Sequence, residues 1–132
     1  MKKIFTLFAA LAMVMSMFAV DIPAGTKLYL TPNSNWKQSN ARFAAYFFGN
    51  GEAWVSLKDD NKDGIYVVDI PGNYPNVIFC RMNPASATND WTYRWDQTAD
   101  LVIPTNGDNC FTIPAGDWGG STSSWGVHVP EA

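Results

Sequence analysis

From position 26 onward the chain runs as short apolar stretches, each closed by Gly, Pro, Asn or Asp. Stretches of about four to eight residues at roughly ten-residue spacing are what antiparallel strands require. They predict strands over 26–31, 41–48, 52–57, 64–70, 76–82, 101–103, 109–113 and 125–129. Pro71, Pro75, Pro84, Pro104 and Pro114 fall at strand ends, where a missing N–H costs no ladder hydrogen bond. Nothing after residue 19 repeats apolar positions at helical spacing. The expectation is an all-β fold, an immunoglobulin-like antiparallel β-sandwich.

One hairpin can be worked out residue by residue. Gly49-Asn50-Gly51 suits a three-residue turn with glycine in the left-handed position. That turn pairs Phe48 with Glu52, Phe47 with Ala53, Tyr46 with Trp54, Ala45 with Val55, Ala44 with Ser56 and Phe43 with Leu57. Alternation then places Phe43, Ala45, Phe47, Val55 and Leu57 on one wholly apolar face, the core side. Arg42, Ala44, Tyr46, Trp54 and Ser56 take the other. Tyr46 and Trp54 become direct cross-strand neighbours away from the core. Ala44 and Ser56 are small, so the two rings are expected to stand uncovered. A two-residue Asn50-Gly51 turn would send Trp54 inward and Val55 outward, which breaks the apolar face.

The first residues have a different pattern. Lys2 and Lys3 precede an almost unbroken apolar run over 4–17, and Ala19 follows. Basic start, apolar middle and small cleavage residue make a secretory signal over 1–19, although Met17 stands where a second small residue is usual. The run is shorter than the about 20 residues that span a bilayer. Cleavage would leave residues 20–132 as a single domain with a Gly/Ser-rich C-terminal segment over about 116–132. The expected location is secreted or cell-surface, with no membrane attachment after the signal is removed.

The formal charge of −3 becomes −5 once Lys2 and Lys3 leave. No run of Lys or Arg remains, which argues against nucleic acid and anionic membranes. His128 is the single histidine, so a Cys/His zinc cluster is excluded. No cofactor is expected. Export permits a disulfide between Cys80 and Cys110, while the apolar setting of Cys80 suits a free thiol equally.

Clustered apolar rings facing water call for an explanation. A sugar supplies one, because the C–H face of a pyranose is apolar while its rim is hydroxyl. An aromatic platform covers the face, and neighbouring amides and charges bind the rim. Affinities of this kind correspond to Kd values of about 10⁻³–10⁻⁵ M. Plain sheet stabilisation, or cover by a loop, accounts for the same two rings without a ligand.

The order of features resembles the starch-binding carbohydrate-binding modules of family 26. The likeness runs through Tyr29-Leu30, Asn33-Ser34-Asn35-Trp36, Ala45-Tyr46-Phe47, Trp54, Val77-Ile78-Phe79 and Gln97-Thr98-Ala99-Asp100-Leu101, over residues 26–113. The resemblance implies a sugar-stacking platform built from Tyr46 and Trp54. It also marks a departure. The family often carries a second Tyr two residues before the first, and Ala44 stands there.

Other rings and polar groups leave alternatives open. Trp91, Tyr93 and Trp95 would share one face of an extended stretch, as core or as a border of the platform. Gln97 offers a donor and an acceptor to a sugar hydroxyl pair, or is a strand-edge amide. Trp36 is either a lid over the core or a third platform ring. Arg81 and Asn83 follow a strand and can reach the rim. Asp59-Asp60-Asn61-Lys62-Asp63-Gly64 opens like a calcium loop, but Ile70 holds the position that needs Glu, so a turn ending in Asp-Gly is the simpler reading. Trp118 and Trp125 have no assigned place.

No G-x-S-x-G occurs, and a glycosidase needs two carboxylates across a cleft that so small a domain rarely builds. No catalytic residue is expected. The sequence therefore reads as a non-catalytic module that binds starch or a related α-glucan through Tyr46, Trp54, Trp36, Trp95 and Gln97, possessing no enzyme activity of its own and able to serve a separate amylase. A structural or adhesive surface domain whose rings meet a protein is the alternative, and a small hydrolase or inhibitor a third.

Overall fold

The computed structural model describes residues 22–129. The proposed signal over 1–19 lies outside them, as do residues 130–132. The described chain is all-β, with nine strands in two sheets. They are β1 (Lys27–Thr31), β2 (Arg42–Phe48), β3 (Glu52–Ser56), β4 (Tyr66–Asp69), β5 (Asn76–Met82), β6 (Arg94–Gln97), β7 (Leu101–Val102), β8 (Cys110–Thr112) and β9 (Trp125–Gly126). Among the described residues helix is confined to two single 3-10 turns, Gln38–Asn40 and Trp91–Tyr93.

One sheet runs β4-β1-β8-β9, the other β3-β2-β5-β6 with β7 also paired to β5. All pairs are antiparallel except β1 with β8, which are parallel through Tyr29 and Cys110, Leu30 and Phe111, Thr31 and Thr112. The purely antiparallel expectation is corrected there. Parallel neighbours cannot be joined by a tight turn, so this pair needs the long excursion through the second sheet.

The main core lies between the sheets. Leu28, Leu30, Phe111 and Ile113 come from one, and Phe43, Ala45, Phe47, Val77 and Phe79 from the other. Alternation accounts for this choice, since each set occupies every second position of its strand. The hairpin register is the one that places Tyr46 opposite Trp54 and Ala44 opposite Ser56. The Leu57 N–H donates to the Phe43 carbonyl at 3.0 Å and carries the pairing one step further. Gly49 (φ 103°) and Gly51 (φ 82°) both hold left-handed conformations at the turn. At Gly49 a Cβ would also lie 2.5 Å from Pro75 Cγ.

Strand β6 departs from the sequence reading. Residues 91–95 do not extend with three rings on one face. Asp90 accepts the Thr92 N–H at 2.8 Å and starts a 3-10 turn, and the β5–β6 register then shifts between Arg81 and Met82. The turn and the bulge send Trp91 and Trp95 to different places.

The cysteines are free and buried. Cys80 belongs to the outer side of its sheet, with Ala44 and Met82. Cys110 precedes core residue Phe111 and so faces outward from the opposite sheet. Thiols on opposite sides of a two-sheet core are beyond disulfide reach.

Candidate functional site

The outer face of the β3-β2-β5-β6 sheet carries a second, smaller apolar cluster. Its buried floor is Ala44, Ile78, Cys80 and Met82, with Tyr46, Phe48, Trp54 and Tyr93 packed against it. The register explains this set. Ser56, Ala44, Cys80 and Gln97 form one row across the sheet, and Trp54, Tyr46 and Ile78 the next.

Four rings rise from this floor. Tyr46 stacks on Phe48 at 5.6 Å between centroids with planes 22° apart. Tyr46 and Trp54 lie 5.0 Å apart, tilted by 53°. Trp91 closes the group from another part of the chain, edge to face with both Tyr46 (4.9 Å) and Trp54 (4.7 Å). Such geometry adds about 0.5–1.5 kcal/mol per pair beyond area burial. Tyr46 and Trp54 are half-buried, while Trp91 keeps 39% of its surface exposed.

The rings were expected to stand uncovered beside Ala44 and Ser56, and they do not. The small side chains leave room that the 83–93 segment fills, and Ala44 is fully buried. Arg42 holds that segment. Its guanidinium donates to the Ser86 carbonyl, the Thr88 carbonyl and Asn89 Oδ1, each at 2.6 Å. Burial lowers the pKa of Arg42 from its usual value, and the guanidinium is held by three neutral acceptors. Asn89 in turn donates to Ser56 Oγ at 3.0 Å.

A polar rim surrounds the rings. The Tyr46 hydroxyl donates to Glu52 Oε1 at 3.2 Å, and burial, with that carboxylate beside it, raises the phenol pKa. The Arg94 guanidinium lies 5.9 Å from the Trp91 centroid and donates to Gln97 Oε1. Gln97 faces the same side through its pairing with Cys80.

Of the five residues singled out in the sequence, the fold brings Tyr46, Trp54 and Gln97 to one face. Trp36 goes elsewhere. It is fully buried on the core side, stacked 6.0 Å from Phe43, so it takes the lid role and offers no ring face to a ligand. Its indole N–H has no hydrogen-bond partner among the described residues. Trp95 also leaves the group. The β5–β6 bulge turns it toward Arg81, whose guanidinium carbon lies 4.8 Å from its centroid. Arg81 does not reach the rim either; it is buried and donates to the Trp36 carbonyl, the Gln38 carbonyl and Asp96. Of the 91–95 rings weighed as core or as a border of the platform, Trp91 is the one that joins Tyr46 and Trp54. The turn residues Pro84, Ser86, Asn89 and Asp90 ahead of it were the available signal, since an Asp-capped turn cannot continue an extended face.

Residues 59–64 form a turn. Asp59 accepts the Asp63 N–H at 3.2 Å and the Gly64 N–H at 3.0 Å with its two oxygens. The Ile65 N–H, bonded to Asp63, pulls that carboxyl below its usual range. The 116–124 stretch is tied down, with Asn33 Nδ2 donating to the Pro114 and Asp117 carbonyls at 2.7 Å. A hollow of about 360 Å³ lined by Ile22, Leu28, Ile103 and Asn109 contains none of the clustered rings.

Comparison with protein-family models, with curated proteins and with solved structures returns no match to this chain.

Proposed function

We propose that this protein is a secreted, non-catalytic glycan-binding domain of immunoglobulin-like outline that holds starch or a related α-glucan against the Tyr46–Trp54–Trp91 surface. The single observation that supports this reading is the gathering of four rings on the solvent side of a sheet, with Trp91 open and a polar rim around it. The ring faces would take the C–H side of a pyranose. Glu52 would accept hydroxyl hydrogen bonds, while Arg94 and Gln97 would donate to them. A neutral polymer also suits a chain with net acidic charge and no basic stripe. The α-glucan choice rests on the family resemblance. A separate amylase would work on the glucan this domain tethers.

Affinity electrophoresis in gels with and without soluble starch tests the reading, with Trp91→Ala and Trp54→Ala run beside the wild type. Retardation of the wild type that is strongly reduced in both variants is the expected result. Retardation kept in both variants moves the site away from this surface. Absence of retardation by starch, β-glucan and mannan overturns the glycan reading and leaves a protein interface as the use for these rings.

A further inference from the structure

Two exposed tryptophans remain outside the cluster just described, and the fold brings them to one place. Trp95 comes from β6 and Trp118 from the loop before β9, with 39% and 45% of their surfaces exposed. Arg81 joins them. Its guanidinium carbon lies over the Trp95 ring at 4.8 Å and over the Trp118 ring at 5.6 Å. The cation itself is fixed, because it donates to the Trp36 carbonyl (2.9 Å), the Gln38 carbonyl (2.7 Å) and Asp96 Oδ2 (3.0 Å).

The loop that carries Trp118 is equally constrained. Asp117 Oδ2 accepts the Gly119 and Ser121 N–H groups, and the Ala99 N–H donates to the Gly119 carbonyl at 3.0 Å. Gly119 has φ 123°, and a Cβ there would lie 2.4 Å from the Gln97 carbonyl oxygen. The residue after Trp118 is thus pressed onto the end of the strand that carries Trp95. Two rings are held at a set spacing on rigid backbone, each with part of its surface in solvent.

We infer that Trp95 and Trp118 form a second glycan-stacking surface, for another segment of the same neutral polymer; this rests on the glycan-binding reading above. The two rings expose about 100 Å² each, against about 800 Å² per side for a stable protein interface. A patch this small cannot hold a protein alone, but it matches the face of one or two sugar units. Asp96 and Asp117 beside the rings supply acceptors for rim hydroxyls. Two weak surfaces on one domain gain from a polymer, since the first contact raises the effective concentration for the second.

The six tryptophan indole N–H signals of the ¹⁵N-labelled chain read both surfaces at once during titration with maltoheptaose. Shifts at Trp95 and Trp118 as well as Trp54 and Trp91 are expected, with the first pair still shifting in Trp54→Ala. Trp118→Ala should keep maltotriose binding at Trp54 within twofold and lower retention on long amylose at least tenfold. Movement of Trp54 and Trp91 alone overturns this inference and leaves the first reading standing. Movement of Trp95 and Trp118 alone supports it and moves the site off the Tyr46 surface. If no indole signal moves, both readings fall.

Discussion

Trp91 meets Trp54 edge to face, 4.7 Å between centroids and 67° between planes, although the two come from a loop turn and a strand far apart in the chain. Trp54 stands on the sheet, and Trp91 is delivered to it by a loop that Arg42 ties down. The two residues therefore differ in what their removal does.

Trp91→Ala should sharply reduce glucan retardation and cost less stability than Trp54→Ala. Its ring is more exposed than that of Trp54, at 39%, and its loop has its own anchors, so the loss is expected to stay near 1 kcal/mol, a melting shift of about 4–8 °C. Trp54→Ala removes a more buried ring and should cost about 1–3 kcal/mol in addition to binding. Thermal melts beside the gels check this; a Trp91→Ala melt lower than that of Trp54→Ala would contradict it.

Arg42 is a positioning residue for the same surface. Arg42→Ala leaves three acceptors of the 83–93 segment unmatched, and charged hydrogen bonds carry about 1.5–3 kcal/mol. The expected result is a chain still folded, with Trp91 freed from Tyr46. Weaker starch retardation and a red-shifted tryptophan emission would register it. Arg42→Lys should restore little, because one ammonium cannot reproduce the fork that meets three acceptors.

Gly119→Ala should be costlier than its size suggests. The added Cβ meets backbone, the Gln97 carbonyl at 2.4 Å and Thr98 Cα at 3.2 Å, and φ is 123°. A loss of at least about 2 kcal/mol in urea unfolding is expected. Gly107→Ala is the control, since its φ of 104° carries the conformational cost with nothing within 4 Å of the new atom.

Both thiols should be silent to a disulfide-exchange reagent in the native chain and react with two equivalents after denaturation. Burial pushes the Cys80 thiol up to about 12 from its ordinary 9 and raises Cys110 as well. The folded state thus holds protons that the unfolded state gives up. The Cys80 contribution to stability is fully present below pH about 9 and is lost as pH rises toward 12, by about 1.4 kcal/mol per unit. Denaturant midpoints measured from pH 8 to 11 should decline, and Cys80→Ala should flatten the decline.

Local pattern was enough for much of this molecule. Strand β5 has the bounds that alternation and turn residues predict, and the Gly49–Gly51 turn carries the Tyr46–Trp54 pairing with it. Those features depend on neighbours a few residues apart, and period-two burial writes them directly into residue order. The fates of Trp36, Trp91 and Trp95 depend on contacts across long stretches of chain, which residue order does not encode. Trp36 is buried because Phe43 and the core lie beneath it. An Asp-capped turn and a bulge divide Trp91 from Trp95, and a guanidinium on each side receives one of them. The sequence by itself determined two β-layers and one outward ring pair; only the tertiary packing decided which distant rings join that pair, because loop closure is settled by where complementary surfaces and hydrogen-bond acceptors finally meet.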